Sequence, residues 1–104
     1  MITKGSDAKL VFNINDAITN SVYDLEDAVI LLKMAKPSKR IEDIYCKIID
    51  INNATVQANI PSHILNESGV YDFNLIVTKK DGSVHKSALN GFYVGDSINP
   101  RERY

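Results

Sequence analysis

Histidine and cysteine are common zinc ligands, and this sequence contains two histidines, His63 and His85, and one cysteine, Cys46. Zinc sites gather three or four such ligands at short, regular spacings. Neither histidine belongs to a run of that kind, and each falls in a segment typical of a turn or hairpin, where solvated histidines are common. We therefore expect no metal centre and no cofactor.

Nucleophilic catalysis needs a Ser, Thr or Cys beside a base and an orienting group. The serines lie in turns or at strand ends, without the Gly-x-Ser-x-Gly elbow that exposes a nucleophile. Cys46 stands within the largely apolar run from Ile44 to Ile49 and is interpreted as a small buried hydrophobe rather than a reactive thiol. The segment from Gly91 to Gly95 lacks the lysine and the spacing of a phosphate-binding loop. We predict that the protein is not an enzyme.

Two clusters of charge are the remaining candidates for binding. The acidic cluster consists of Asp24, Glu26 and Asp27, and the basic cluster consists of Lys33, Lys36, Lys39 and Arg40. Carboxylates on a loop could bind calcium, and a basic patch could form the rim of an interface with an anionic partner. In both clusters a solvated turn or strand approach is the favoured interpretation. Lys36, Lys39 and Arg40 remain candidate interface residues.

Composition limits the partners further. The 104 residues include 12 basic and 13 acidic side chains, for a net charge of -1. Proteins that bind nucleic acid or anionic membranes usually present a strongly basic face, so we expect neither partner. No segment approaches the roughly 20 apolar residues that a membrane span requires. A single cysteine cannot form an internal disulfide, which fits synthesis in a reducing cytoplasm.

The hydrophobic pattern predicts the elements that must position any site. Period-2 alternation and β-branched residues predict strands, with a hairpin turn at Asn52-Asn53, a tighter one at Asp81-Gly82 and a bulge beside Gly91. Pro61 to Leu65 predicts one short helical turn. The predicted strands cover residues 8–15, 28–35, 44–51, 55–60, 70–78, 83–88 and 89–94. This is an all-β pattern: an immunoglobulin-like antiparallel β-sandwich of about 7 strands over residues 1–95, followed by a C-terminal tail or linker over residues 96–104.

The step Gly69-Val70-Tyr71 is typical of the tyrosine corner of immunoglobulin-like folds, in which a Tyr hydroxyl bonds the backbone at the start of strand F. Tyr71, Phe73, Leu75 and Val77 share one face of the following strand and are expected in the core. Phe73 stands where antibody domains place the second cysteine, so packing is expected to replace the disulfide between the sheets. Gly69 is expected to need a positive φ.

Several apolar residues alternate with this core and should point outward. These candidate interface residues are Val11, Ile49, Ile76 and Tyr93. Their number exceeds what an isolated sandwich needs, so they could bury against other subunits. The alternatives are a secondary core beneath a loop, or a strand whose facing is shifted by one residue.

A series of short motifs runs along nearly the whole chain in a fixed order. The motifs are Lys4-Gly5-Ser6-Asp7, Leu10-Val11-Phe12, Asp24-Leu25, Met34-Ala35-Lys36-Pro37, Gly69-Val70-Tyr71, Lys80-Asp81-Gly82 and Phe92-Tyr93-Val94. In this order the sequence resembles the N-terminal domain of BppU-type phage baseplate upper proteins.

The resemblance implies a virion structural protein, made in the bacterial host cytoplasm, that docks onto the tail baseplate or a fibre attachment and binds other virion proteins as an oligomer. Members of that family usually continue into helical or fibre segments, whereas this sequence ends at Tyr104. The alternatives that follow are an excised domain, a short adaptor, or a capsid or tail decoration protein. A carbohydrate- or cell-surface-binding β-sandwich is the alternative from a different class.

Overall fold

Alternating apolar and polar residues fold this chain into nine β-strands within the residues that the computed structural model describes, which are residues 2–14 and 25–96. The strands are β1 (Ile2–Thr3), β2 (Ala8–Asn13), β3 (Val29–Ala35), β4 (Ile41–Tyr45), β5 (Lys47–Asp50), β6 (Thr55–Ile60), β7 (Gly69–Thr78), β8 (Val84–Lys86) and β9 (Asn90–Gly95). Asp24, part of the predicted acidic cluster, and residues 97–104 of the predicted tail lie outside the described residues.

The strands form two facing sheets. The larger sheet has the order β1-β9-β7-β3-β4, with β8 also paired to β7, and the smaller sheet has the order β2-β6-β5. Only β1 with β9 is a parallel pair among these strands. Strands β2, β6 and β5 take the places of immunoglobulin strands B, E and D, while β3, β7 and the β8–β9 pair take those of C, F and G. The predicted all-β, immunoglobulin-like sandwich is confirmed.

The core lies between the sheets and follows the predicted facing of β7. Tyr71, Phe73, Leu75 and Val77 are all buried, while their neighbours along the strand face outward. Phe73 contacts Phe12 of the opposite sheet, with ring centroids 5.5 Å apart. This aromatic contact joins the two sheets at the place of the immunoglobulin disulfide, as the sequence predicted.

The predicted strand over residues 44–51 is wrong in one respect. The structure divides it at Cys46, with β4 in the larger sheet and β5 in the smaller one. The Cys46 N–H donates to the Ile30 carbonyl at 2.8 Å, which anchors the crossing. Ile44 and Ile48 point into the core from different sheets, so the period-2 pattern continues through the crossing and conceals it.

The turns agree with the sequence in position and differ in detail. Residues 51–54 join β5 to β6. The residue with a positive φ in this turn is Ala54, at 49°, whereas Asn52 or Asn53 was expected to adopt it. In the β7–β8 hairpin Gly82 has a φ of 90°, and the Lys79 N–H donates to the Ser83 carbonyl at 2.8 Å. The segment after Pro61 makes one helical turn with two hydrogen bonds of the 3₁₀ type, Ile64 N–H to Pro61 O and Leu65 N–H to Ser62 O.

A β-bulge separates β8 from β9, before the last strand as the sequence predicted, and Gly91 itself lies within β9. Ile76 pairs with Lys86 and Phe73 pairs with Asn90, so one extra residue is inserted between these two pairs. Ser87 fills the gap in the ladder, because its Oγ accepts the Leu75 N–H at 2.8 Å. The bulge changes the alternation: Phe92 packs against the core, and Tyr93 faces outward.

Candidate docking surface

Within the described residues, the side chains best suited to chemistry, the histidines and the cysteine, are not assembled into a reactive site. His63 is exposed, and no group of three or more His, Cys, Asp and Glu residues within residues 2–14 and 25–96 could hold a metal ion. Burial raises the pKa of the Cys46 thiol to about 11, which keeps it protonated and unreactive at neutral pH. Ser87, near β9, serves the bulge described above, where its Oγ accepts the Leu75 N–H.

The predicted basic patch requires a correction at Lys36. Its side chain is only 5% exposed, because the inward alternation of Ile30, Leu32 and Met34 continues one residue beyond the end of β3. The Lys36 Nζ donates to Asn66 Oδ1 at 2.6 Å and lies 3.2 Å from Glu67 Oε2. Lys36 is therefore a buried structural cation and cannot form part of a surface patch.

Lys39 and Arg40 do remain on the surface. They lie in the turn between β3 and β4, which the Lys36 N–H closes by donating to the Arg40 carbonyl at 2.8 Å. Lys39 adopts a φ of 73° there. This turn is at one end of the sandwich, so its two cations could contact a partner at the edge of the larger sheet.

The same end is held by the tyrosine corner. The Tyr71 hydroxyl accepts the Glu67 N–H at 3.1 Å and lies 3.1 Å from the carbonyls of Ile64 and Glu67, to which it can donate. Gly69 has a φ of 131°, and a Cβ there would come within 3.0 Å of Pro37 Cγ. Glu67 also accepts from the backbone N–H and the hydroxyl of Ser38, both at 2.9 Å. The corner thus fixes the end of β3 against the start of β7.

These bonds set the ionisation of Glu67. Partial desolvation raises the pKa of the carboxyl group, but the hydrogen bonds from Ser38 and Lys36 outweigh it, and the pKa lies below its ordinary value. A charged Glu67 therefore faces the Lys36 ammonium at neutral pH. The Lys36 ammonium group is buried and is paired with the Glu67 carboxylate, whose side chain stays 28% exposed, so the buried charge has the counterion that it requires.

The most extended candidate surface is the side of the larger sheet that faces away from the core, here called the outer face. It is formed by the outward residues of β3, β4, β7, β8 and β9. These residues are Val29, Leu31, Lys33, Ala35, Ile41, Asp43, Tyr45, Val70, Asp72, Asn74, Ile76, Thr78, Val84, Lys86, Gly91 and Tyr93.

Strand register arranges the outer face in rows that cross the sheet. One row reads Lys86, Ile76, Leu31 and Tyr45 from β8 to β4. The next row contains Asn74, Lys33 and Asp43, in which Lys33 Nζ and Asp43 Oδ1 form an ion pair at 2.9 Å. A polar row therefore crosses the middle of the face.

Apolar side chains lie on both sides of this polar row. Val84 and Val29 lie beyond Ile76 and Leu31 at one end, and Val70 pairs with Tyr93 at the other. Of the ten large apolar side chains that are exposed in the described residues, six are on the outer face. These six are Val29, Ile41, Tyr45, Val70, Val84 and Tyr93. Such a concentration on one face is typical of a surface that binds another protein.

The structure does not bring the seven candidate interface residues together. Ile76 and Tyr93 are on the outer face, whereas Val11 and Ile49 are on the solvent side of the smaller sheet. Of the six exposed residues of the outer face, only Tyr93 was predicted from the sequence as an interface residue, and the other five were not. Val29, Tyr45 and Val70 each adjoin a buried residue, so facing could have revealed them, but an apolar residue on the second side of a strand also fits a doubly covered sheet.

Comparison with known proteins adds no identification. No protein-family model matches this sequence, and no curated protein matches it significantly. In the described part of the chain, no helix is long and apolar enough to cross a membrane.

Proposed function

We propose that this chain is a structural module of a phage virion, which docks onto another virion protein in the tail baseplate or at a fibre attachment. The concentration of exposed apolar side chains on the outer face is the observation that carries the proposal. The order of short motifs that resembles phage baseplate upper proteins is what supports the virion as the setting. A capsid or tail decoration protein would use the same surface with a different partner.

The docking role follows from the energetics of the outer face. Val70 is 55% exposed and Tyr45 is 72% exposed, so much of their apolar surface stays in water when the chain is alone. Burying apolar surface contributes about 25 cal/mol per Å². A partner that covers both apolar ends of the face gains this energy, while the polar row between them fixes its register through hydrogen bonds and charge.

The carbohydrate-binding alternative has less support from the geometry. Sugar sites normally stack an aromatic ring on the sugar, with polar side chains close by. Tyr45 and Tyr93 are the exposed tyrosines of the outer face, and they are three strands and three rows apart. Standard strand spacings place them about 25 Å from each other. One sugar ring cannot contact both.

The chain offers a matched pair of variants for the test. Val70 on the outer face and Val11 on the opposite side of the sandwich are 55% and 57% exposed. Val70→Asp and Val11→Asp therefore introduce the same charge at equal exposure. Each variant is placed in the phage that carries the gene, particles are purified, and the chain is quantified by mass spectrometry.

We expect the wild type and Val11→Asp in the particles at equal amounts, and Val70→Asp reduced at least tenfold. Unfolding curves of the purified variants serve to check that both are folded. Absence of the wild-type chain from the particles would overturn the virion assignment. Equal incorporation of both variants would overturn the assignment of the outer face.

A further inference from the structure

We propose that the partner of the outer face is a second copy of this chain, bound face to face about a two-fold axis that runs parallel to the strands between β7 and β3. The inference rests on the proposed docking role of that face and names the virion protein that the face contacts as another copy of the same chain. Isologous two-fold contacts of this kind are the commonest way in which identical subunits associate.

The layout of charge favours a second copy. The outer face carries Lys33 and Lys86 against Asp43 and Asp72, so its side chains are balanced in charge. Lys86 lies at the β8 edge and Asp43 at the β4 edge. A two-fold axis along the strands exchanges these edges, so the Lys86 of each copy meets the acidic edge of the other. The face is therefore complementary to itself.

The row of Lys86, Ile76, Leu31 and Tyr45 is also self-complementary under this rotation. The rotation leaves each row at the same height along the strands, and it places β7 of one copy over β3 of the other. Ile76 then lies over the partner's Leu31, and Leu31 lies over the partner's Ile76. Lys86 lies over the ring of the partner's Tyr45, an arrangement that allows a cation–π contact. Facing sheets pack about 10 Å apart, which two layers of such side chains fill.

The size of the face is sufficient for a specific contact. It is four strand positions wide and five rows long, which corresponds to about 20 Å by 27 Å at standard spacings. This gives at most about 500 Å² per copy and about 1,000 Å² for the pair, at the lower bound for a specific interface. An interface of this size predicts a weak, reversible dimer rather than an obligate one.

The edges of the face allow a test that depends on the two-fold axis. Lys86→Glu places two acidic edges together, and Asp43→Lys places two basic edges together, so each single variant is expected to weaken the dimer at least tenfold. The double variant exchanges the two charges and is expected to restore it. Val11→Asp, on the opposite side of the sandwich, is the control.

Sedimentation velocity from 1 µM to 1 mM measures the association of the purified chain. We expect the mass to rise with concentration from 11.6 kDa toward twice that value. A single species of 11.6 kDa at 1 mM overturns the inference. So does a dimer that both single charge variants leave unchanged, or one that the double variant fails to restore.

The outcome is separable from that of the proposed function. A chain that stays monomeric, but whose Val70→Asp variant is lost from particles, refutes the second copy and leaves the docking role intact. A chain that dimerises as expected but is absent from purified particles refutes the virion assignment and supports the dimer.

Discussion

Replacing Tyr71 with Phe removes one buried oxygen from the tyrosine corner and little else. The Tyr71 side chain is fully buried, and its ring stacks on Phe92 with centroids 5.4 Å apart. Phe retains this stacking, so the cost comes from polar groups alone. The hydroxyl accepts from the Glu67 N–H and donates to a carbonyl of Ile64 or Glu67, all at 3.1 Å.

The expected magnitude follows from these bonds. Each intramolecular hydrogen bond contributes about 1 kcal/mol net, and a buried group left without a partner costs about 1–3 kcal/mol. Water can reach the partly buried Glu67 N–H, so we expect the free energy of unfolding to fall by about 2–3 kcal/mol. With an m-value of about 1–3 kcal/mol/M, the urea midpoint should fall by about 0.7–3 M at unchanged m.

Tyr45→Phe is the matched control, because it removes the same atom from a side chain that is 72% exposed. Its free energy of unfolding should stay within about 0.5 kcal/mol of the wild type. Both variants are measured by urea unfolding at one low micromolar protein concentration, so that any association at the outer face contributes equally. A Tyr71→Phe value within about 0.5 kcal/mol of the wild type would refute the argument for the corner.

Two further predictions test the core and the ion pair between Lys36 and Glu67. Phe73→Ala should lower the free energy of unfolding by about 3–5 kcal/mol, because Phe73 is packed between Phe12 and Phe92. The control Val11→Ala should lower it little. A loss below about 1 kcal/mol for Phe73→Ala, measured by urea unfolding, would contradict the facing of β7. The lowered pKa of Glu67 predicts stability that is present above the ordinary glutamate range and is lost as the pH falls toward the folded-state pKa. Glu67→Gln should flatten the dependence of stability on pH in that acidic window. The part due to Asp50, Asp81 and Asp96, whose pKa values are also lowered, should remain. An unchanged pH dependence would argue against the ion pair between Glu67 and Lys36.

The sequence predicted the elements whose signals are local. The alternation of Tyr71 to Val77 determined the facing of β7, and Asp81-Gly82 located the β7–β8 hairpin, because a turn depends on neighbouring residues. Lys36 was misjudged because its partners, Asn66 and Glu67, are about thirty residues away in the sequence and only the fold brings them near. The inward alternation of β3 placed Lys36 toward the core, but nothing in the local sequence showed which groups would pair with its charge.

The outer face was only partly predicted for a related reason. Period-2 alternation separates the two sides of a strand, but it does not say whether the second side is covered. Val70 and Tyr93 are opposite each other only because the bulge sets the register of β9. The identity of neighbouring residues across a sheet is a property of the topology, which no single strand encodes.

The bulge between β8 and β9 acts on the side-chain alternation as a frameshift acts on a coding sequence. Lys86 and Tyr93 both face outward although an even number of residues separates them, which an unbroken strand would not allow. A deletion of one residue there would bring Phe92 to the surface and Tyr93 into the core. The hairpin between Lys79 and Ser83 can change length without this effect. Between Thr78 and Val94, length variation should therefore be confined to that hairpin, while the residue count from Val84 to Val94 stays fixed.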